Sequence, residues 1–353
     1  MSSLVLEDGS TFMGQTFGAA KSVAGEVVFN TGMVGYPETL TDPSYAGEVL
    51  VLTYPLVGNY GVPSMKNGVA LDGLFESSKI QIQGLIVSDH AEFFSHWNAV
   101  RSLDDWLKEF EVPALFGVDT RMLTKHLRTK GTMLGKIVSA ESGYESIPFY
   151  DPNAENLVAK VSVGSPIVYS GGPSKVVIID CGCKETIVRS VIQRGPTVMR
   201  VPWNYDLANE DFDGLIISNG PGDPKQCGET VEIVKQVMKR GKPVFGICLG
   251  NQILALAAGA DTYKLKYGHR SQNQPCREVG TERCYITSQN HGYAVRPETL
   301  GGDWKAWFIN ANDGTNEGIR HYSRPWMSVQ FHPEAAPGPY DTGYLFDAFL
   351  DLL

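Results

Sequence analysis

Cysteine is scarce in this sequence: six cysteines occur among 353 residues, and no two of them are spaced as CxxC. So sparse a set does not support a disulfide scaffold or a structural zinc site, and it is typical of a reducing compartment. Positive charge is also in deficit, because 30 Lys and Arg face 39 Asp and Glu, for a net charge of −9. Proteins that bind nucleic-acid phosphates need the opposite balance, so we expect no nucleic-acid partner.

Long apolar segments are missing as well. The longest apolar stretch, 244–260, carries Asn251 and Gln252 near its middle, which makes it too short and too polar for a membrane span. The N-terminus has no basic region, and it contains Glu7 and Asp8 where a secretory signal would be apolar. We therefore expect a cytoplasmic protein with no membrane-spanning segment.

What the sequence has in excess is glycine, at 38 of 353 residues, against a usual share of about 7%. A length of 353 residues predicts roughly two domains. Short β-like runs separated by turn signals fill residues 1–150, and prolines and glycines crowd residues 151–174. We therefore predict a β-rich α+β domain over 1–150, a linker over 151–174 and a second domain over 175–353.

Strands alternate with helices in the second domain. The predicted strands are 175–180, 197–201, 214–218, 243–247 and 326–331, and the predicted helices are 184–194, 229–240 and 251–258. This alternation favours an α/β fold, with a mostly parallel sheet and helices on both faces. Ligands of such sheets bind beyond the carboxyl ends of the strands. The segments that end at Asn219, Cys248 and His332 are therefore candidates for one shared site.

The strongest local signal is the run Gly246-Ile247-Cys248-Leu249-Gly250, between a predicted strand and a predicted helix. This is the context of a nucleophile elbow, with cysteine where hydrolases carry serine. The two glycines fit a turn so tight that side chains would collide, and the start of the following helix favours a thiolate. The first amides of that helix are placed to donate to an oxyanion. A buried structural cysteine in a tight turn is the alternative.

A thiol nucleophile needs a base, and His332 is the best candidate among the seven histidines. It follows a strand-like run and is separated from Glu334 only by a proline. Residues two apart in an extended chain point the same way, so Glu334 can reach the imidazole. The spacing predicts a Cys248–His332–Glu334 relay of nucleophile, base and orienting carboxylate. A satisfied core or surface histidine is the alternative.

Two further polar runs are candidates for the same site. The loop Asn219–Pro224 follows a predicted strand, and its glycines allow backbone N–H groups to face a ligand. It matches neither GxGxxG nor the P-loop pattern, so it does not indicate a nucleotide. The run Ser288–Tyr293 is interpreted as a loop whose polar groups could bind an amide or an amino-acid head group. Ordinary turns are the alternative for both.

Together, the runs GICLGNQ, QFHPE, SNGPGDP and SQNHGY resemble class I glutamine amidotransferases. In the N-terminal half, GEVVFNTGMVGYPETLTDPSYAGEVLVLTYPLVGNYG and GVDTRMLTKHLRTKGTMLG look like the first domain of the carbamoyl-phosphate synthetase small subunit. The resemblance covers essentially residues 1–353 and implies a glutaminase that works through a γ-glutamyl thioester on Cys248. It also implies a tunnel that delivers ammonia to a large synthetase subunit. There, ammonia, bicarbonate and ATP yield carbamoyl phosphate for pyrimidines and arginine, which makes the complete enzyme a ligase.

The resemblance also assigns the residues around the substrate glutamine. Gly220 and Leu249 correspond to the backbone donors of the oxyanion hole. The other residues that match glutamine-binding positions are Ser44, Gly222, Gln252, Asn290, Gly292 and Tyr293. Because Ser44 lies in the first domain, the resemblance implies a glutamine pocket between the domains.

By the same resemblance, this chain has no metal or cofactor of its own, and ATP, magnesium and potassium belong to the large subunit. Many members read GICLGHQ, whereas this chain has Asn251 in place of the histidine. The chain ends at Leu353, soon after the last predicted helix, so we expect a free-standing subunit. A silent assembly subunit and a stand-alone cysteine hydrolase are the alternatives. The intact relay disfavours the first, and the N-terminal domain disfavours the second.

Overall fold

A computed structural model describes residues 2–65, 71, 73–140, 142–143 and 147–353. The chain divides into two compact units between Glu155 and Asn156. The strands and helices of the first unit are β1 (Ser2–Leu6), β2 (Thr11–Gly18), β3 (Val23–Asn30), α1 (Tyr36–Thr41), β4 (Glu48–Leu52), β5 (Leu56–Val57), β6 (Val62–Pro63), β7 (Gly84–Ile86), β8 (Asp89–His90), β9 (Ala99–Arg101), α2 (Leu103–Glu109), β10 (Pro113–Phe116), α3 (Thr120–Lys130) and β11 (Met133–Val138).

Seven of these strands close into a barrel, in the order β1-β11-β3-β4-β7-β10-β2. The pairs β3–β4, β4–β7 and β7–β10 are parallel and the others antiparallel. Large buried side chains, among them Tyr45, Phe75 and Trp106, pack in one hydrophobic cluster with strand residues of the barrel. The predicted β-rich α+β fold of this half is therefore confirmed, with a closed sheet at its centre.

Side-chain caps explain where the two longer helices of this unit begin. Ser102 accepts the backbone N–H of Asp105 at the start of α2, and Asp119 accepts that of Met122 at the start of α3. Each cap satisfies a backbone donor that the first helical turn leaves without a partner. Helical spacing in the sequence predicts helices near 102–110 and 120–129, and both are confirmed.

The second unit contains the larger sheet. Its elements are α4 (Val158–Val161), β12 (Ile167–Tyr169), β13 (Gly172–Asp180), α5 (Glu185–Ile192), β14 (Pro196–Pro202), β15 (Gly214–Ile217), α6 (Gly228–Lys239), β16 (Val244–Ile247), α7 (Leu249–Ala257), β17 (Thr262–Glu278), β18 (Cys284–Val295), β19 (Trp304–Asn310), β20 (Asn316–His321), β21 (Trp326–Val329) and α8 (Tyr344–Leu350). Short 3₁₀ turns in the two units cover Pro43–Tyr45, Pro152–Ala154, Pro224–Gln226 and Pro297–Thr299.

Ten strands form this sheet, in the order β12-β14-β13-β15-β16-β21-β20-β19-β17-β18. Its parallel part, from β14 to β21, consists of the five strands predicted from the sequence. The central strands β15 and β16 are buried at every position, as expected for parallel strands covered on both faces. The α/β prediction is confirmed, and antiparallel strands extend the sheet on both sides of the parallel part.

Two segments have more regular structure than the sequence predicts. The run Ser288–Tyr293 is not a loop: it lies inside the twelve-residue strand β18, paired with β17. That prediction is wrong because polar residues here fill buried positions of a strand instead of alternating with apolar ones. The segment 151–174, predicted to be a linker, contains α4 and the edge strand β12.

Candidate active site

Cys248 lies in the turn between β16 and α7, buried and with a backbone φ of 55° and ψ of −103°. A positive φ is strained for a residue with a side chain, and such strain is common at functional sites. Glycines make the turn possible on both sides. A Cβ on Gly246 would lie closer than 3.0 Å to the backbone of Gly250, and one on Gly250 would lie equally close to the backbone of Ile217.

Polar groups from β18, from the segment after β21 and from the start of α7 lie near the sulfur of Cys248. Its thiol is placed to donate to the carbonyl of Asn290 on β18, at 3.5 Å, and the amide nitrogen of Gln330 lies 3.7 Å from it. Leu249, the next residue, begins α7. Because the first amides of a helix have no partner within it, this end of α7 can stabilise negative charge near the sulfur.

His332 and Glu334 follow β21, which lies next to β16 in the sheet. The imidazole Nδ1 of His332 lies 2.6 Å from a carboxylate oxygen of Glu334, and both side chains are buried. The backbone N–H of His332 donates to the carbonyl of Ser288 at 2.9 Å, which fixes the segment against β18. Nε2 of His332 has no hydrogen-bond partner among the described residues, so it is the nitrogen available for proton transfer.

Sequence reasoning missed Lys184, which it placed as the first residue of a helix. The side chain is buried before the start of α5, and its Nζ lies 3.0 Å from the carboxylate of Glu334. The same ammonium donates to the carbonyl of Ala335 at 2.6 Å. The only signal in the sequence is position: Lys184 follows the first strand of the parallel sheet, whose carboxyl end lies on the side of the predicted site.

The buried carboxylate of Asp180 stabilises the turn that carries Lys184. Asp180 accepts the backbone N–H groups of Gly182 and Cys183, each at 2.8 Å. Its other carboxylate oxygen pairs with the guanidinium of Arg200 on the neighbouring strand β14, at 2.7 Å. These contacts satisfy a carboxylate that is fully buried. They fix the backbone turn after β13, from which the Lys184 side chain extends towards Glu334.

The buried charges act strongly on one another. Burial lowers the pKa of His332, but the negative charge of Glu334, followed by the electrostatic effect of Cys248, outweighs burial and raises the pKa to about 10. Burial raises the pKa of Glu334, whereas Lys184 and then His332 lower it, and the net result is a pKa of about 2. At neutral pH the carboxylate is therefore ionised and the imidazole is held as an imidazolium.

The other predicted site residues of this unit come from three places. Gly220 and Gly222 lie in the loop after β15, Leu249 and Gln252 in the first turn of α7, and Asn290, Gly292 and Tyr293 on β18. The structure brings several of them together: Gln252 donates to the carbonyl of Tyr293 at 2.9 Å, and Asn290 contacts Cys248. A Cβ on Gly220 would lie 2.8 Å from the Leu249 side chain.

Ser44 lies in the other unit, in the 3₁₀ turn Pro43–Tyr45. It is buried, and its backbone N–H donates to the carboxylate of Asp42 at 2.9 Å. Its assignment to the glutamine site stays a prediction.

A second buried charged cluster lies on the antiparallel strands. His269, His291 and Glu317 offer ligand atoms within 4.8 Å of one another. The two nitrogens of His269 already face carboxylates, of Asp313 at 2.9 Å and of Glu317 at 3.2 Å. Burial lowers the pKa of His269, but hydrogen bonds to these carboxylates raise it to about 9. An ion-pair network therefore accounts for this cluster.

Among the described residues, no helix is both long and apolar enough to cross a membrane. Residues 177–352 match the family model described as glutamine amidotransferase class-I. Residues 4–137 match the model of the carbamoyl-phosphate synthase small chain, CPSase domain.

Two relatives that match over almost the whole chain are much longer than it. It is 54% identical to the multifunctional protein CAD of Squalus acanthias, over 99% of the chain and 16% of that protein. It is 48% identical to the human mitochondrial carbamoyl-phosphate synthase [ammonia], over 99% of the chain and 23% of that protein. The crystal structure of a glutamine amidotransferase from Thermotoga maritima is 17% identical. It aligns with a TM-score of 0.40, over 51% of this chain and 84% of the other.

Proposed function

Because the chain belongs to the carbamoyl-phosphate synthase small-chain family, with its class-I glutamine amidotransferase domain, we propose that it hydrolyses glutamine to glutamate and ammonia. The observation that carries this proposal is the charged array of Cys248, His332 and Glu334 at the ends of two neighbouring parallel strands. A strained, buried cysteine next to an imidazolium is the arrangement that a thiolate nucleophile requires.

In the first half of the reaction, the Cys248 thiolate attacks the side-chain amide carbon of glutamine. The negative charge moves to the amide oxygen, which the backbone N–H groups of Gly220 and Leu249 stabilise. The imidazolium of His332 then gives its Nε2 proton to the leaving nitrogen. Ammonia departs, and a γ-glutamyl thioester remains on the sulfur.

In the second half, neutral His332 accepts a proton from water as the water attacks the thioester carbonyl. Glutamate leaves, and the thiolate and imidazolium are restored. Glu334 keeps the imidazole oriented through Nδ1, at 2.6 Å, and stabilises its charged form. Lys184, 3.0 Å from Glu334, keeps that carboxylate ionised throughout.

We assign substrate binding to Gln252, Asn290, Gly292 and Tyr293, together with Gly222. The support is the contact of Asn290 with the sulfur and of Gln252 with Tyr293, which lies on the same strand as Asn290. Polar groups at fixed positions in a concave site are what an amino-acid substrate needs.

The ammonia is passed to a large synthetase subunit, which uses it with bicarbonate and ATP to make carbamoyl phosphate for pyrimidine and arginine synthesis. The match of residues 4–137 to the small-chain domain supports this partner, as do relatives of which this chain spans only 16–23%. ATP, magnesium and potassium belong to that partner in this proposal. The six free cysteines support a reducing compartment, and we propose the cytoplasm.

The test is covalent labelling with a chloroketone analogue of glutamine, followed by mass spectrometry of the intact chain and of its peptides. We expect one adduct, on Cys248, and protection by glutamine. The exposed Cys284 provides the matched control, because Cys284→Ser should label normally and Cys248→Ser should not label. No adduct, or labelling spread over several cysteines, contradicts the proposal and favours a silent subunit.

A second experiment tests the partner. Cys248→Ser in complex with the large subunit should lose glutamine-dependent carbamoyl phosphate synthesis and keep ammonia-dependent synthesis. Equal loss of both activities contradicts the assignment of Cys248 to glutamine hydrolysis alone.

A further inference from the structure

A chain of buried amide side chains ends at the sulfur of Cys248. Gln330 lies between β21 and His332, and its amide nitrogen is 3.7 Å from the sulfur. Its carbonyl oxygen accepts an N–H from Asn251 at 3.0 Å and another from Gln252 at 3.1 Å. The hydroxyl of Ser328 donates in turn to the carbonyl oxygen of Asn251 at 2.8 Å. All four side chains are buried.

The hydrogen-bond pattern fixes which end of Gln330 faces the sulfur. Gln252 donates to the backbone carbonyl of Tyr293 at 2.9 Å, and a carbonyl can only accept, so the amide nitrogen of Gln252 is identified. The second N–H of that nitrogen points to Gln330, which must therefore present its oxygen there. The nitrogen of Gln330 is then left to face Cys248, and the donor from Asn251 reinforces the same orientation.

From this geometry we propose that Gln330 donates a hydrogen bond to the Cys248 thiolate, and that Asn251 is a positioning residue that acts through Gln330. The inference deepens the proposed function and rests on it. An N–H aimed at a buried thiolate stabilises the charged form of the sulfur. Both N–H groups that bind the Gln330 oxygen also polarise its amide, which strengthens the donor at the other end.

This proposal gives Asn251 a specific task. The residue is fully buried in the first turn of α7, where an unpaired amide would be costly. Its two polar atoms are both engaged, one with Gln330 and one with Ser328. Asn251, which stands where the GICLGHQ run has histidine, therefore helps to position Gln330 against the nucleophile.

The experiment measures the ultraviolet absorbance of the Cys248 thiolate in the full chain, as the difference between each variant and the same variant carrying Cys248→Ser. Gln330→Met removes the donor and should lower the thiolate-to-thiol ratio about tenfold at neutral pH. Asn251→Leu, of similar shape, should lower it about threefold. In the Gln330→Met background, Asn251→Leu should have no further effect, because it acts only through Gln330.

Asn316→Leu is the matched control. It also removes a buried amide, from β20, but that amide bonds to the carbonyl of Gly318, so the ratio should stay unchanged. Ser328→Ala removes a single hydroxyl and should lower the thiolate-to-thiol ratio about twofold. This smaller change tests the inference if Gln330→Met and Asn251→Leu prevent folding.

An unchanged ratio in Gln330→Met, or an equal effect of Asn251→Leu with and without Gln330, would overturn the inference. The glutamine-analogue labelling is measured on the unmodified chain and does not use these variants. If Cys248 is labelled normally there and Gln330→Met leaves the thiolate-to-thiol ratio unchanged, this inference alone is contradicted. Absence of any Cys248 thiolate in the unmodified chain contradicts the proposed function as well.

Discussion

Glu334→Gln removes one charge from the array and keeps the shape of the side chain. In the native site, burial and Lys184 lower the pKa of His332, and the charge of Glu334 is the largest influence that raises it. Without that charge we expect the pKa of His332 to fall from about 10 to its ordinary value or below. A drop of about 3.5 units corresponds to roughly 5 kcal/mol of lost imidazolium stabilisation.

The consequence for reactivity follows from the ion pair. A neutral imidazole no longer stabilises the thiolate, so alkylation of Cys248 by iodoacetamide near neutral pH should slow by between about 10- and 1,000-fold. The exposed Cys284 reacts in the same sample, and peptide mapping gives the ratio of the two rates. This internal reference removes differences in reagent and protein concentration.

Glu317→Gln is the matched control for this change. Glu317 is an equally buried carboxylate of the same unit, and it pairs with His269. Its neutralisation should leave the ratio of Cys248 to Cys284 alkylation within about threefold of the native chain. A Glu334→Gln chain whose ratio is as high as that of the control would refute the role of Glu334 in raising the pKa of His332.

Three further predictions concern stability, each measured as the free energy of unfolding in urea. Gly250→Ala should lower the free energy of unfolding by about 2 kcal/mol or more, because the new Cβ would press on the backbone of β15. Its control, Gly228→Ala, has open space on α6 and should be neutral or slightly stabilising. The pKa of Glu334 is lowered to about 2, so its stabilisation is present above about pH 4.5 and is lost as pH falls towards 2. Over that range the native chain should lose about 1.4 kcal/mol per pH unit relative to Glu334→Gln, and parallel curves would contradict this. Lys184→Met should cost about 3–5 kcal/mol because its partner carboxylate stays buried, whereas Lys175→Met, from a partly exposed pair with a 3.5 Å separation, should cost under about 1 kcal/mol. Equal losses would show that burial of the pair does not matter.

The sequence predicts the parallel part of the fold well because each strand there is a short apolar run bounded by Gly or Pro. The strands β13, β15 and β16 lie within a few residues of the predicted bounds. The antiparallel strands β17 and β18 were not predicted, since they contain many polar residues and their burial does not alternate regularly. Closure of the first sheet into a barrel depends on pairings between distant strands, which local patterns do not encode.

The predicted nucleophile and its base come from local motifs, and the structure adds what no motif contains. His332 and Glu334 are two residues apart, so their contact follows from the geometry of an extended chain. Lys184 meets Glu334 across 150 residues of sequence, and Gln330 meets Cys248 across 82. Such contacts depend on strand order in the sheet, so a single sequence gives no local signal for them.

With Cys248 as the thiolate of the proposed reaction, the four charged groups at the sheet edge sum to zero: the ammonium of Lys184 and the imidazolium of His332 balance the carboxylate of Glu334 and the thiolate. The proposed chemistry preserves this sum at every stage. When the sulfur is acylated and ammonia has taken the proton, thioester and imidazole are both neutral, and the ammonium still balances the carboxylate. In the tetrahedral state the oxyanion takes over the charge of the sulfur. A site this deeply buried can therefore complete a catalytic cycle without ever changing its net charge, and the cost of burying ions, which is severe for an unbalanced charge, stays nearly constant from substrate to product.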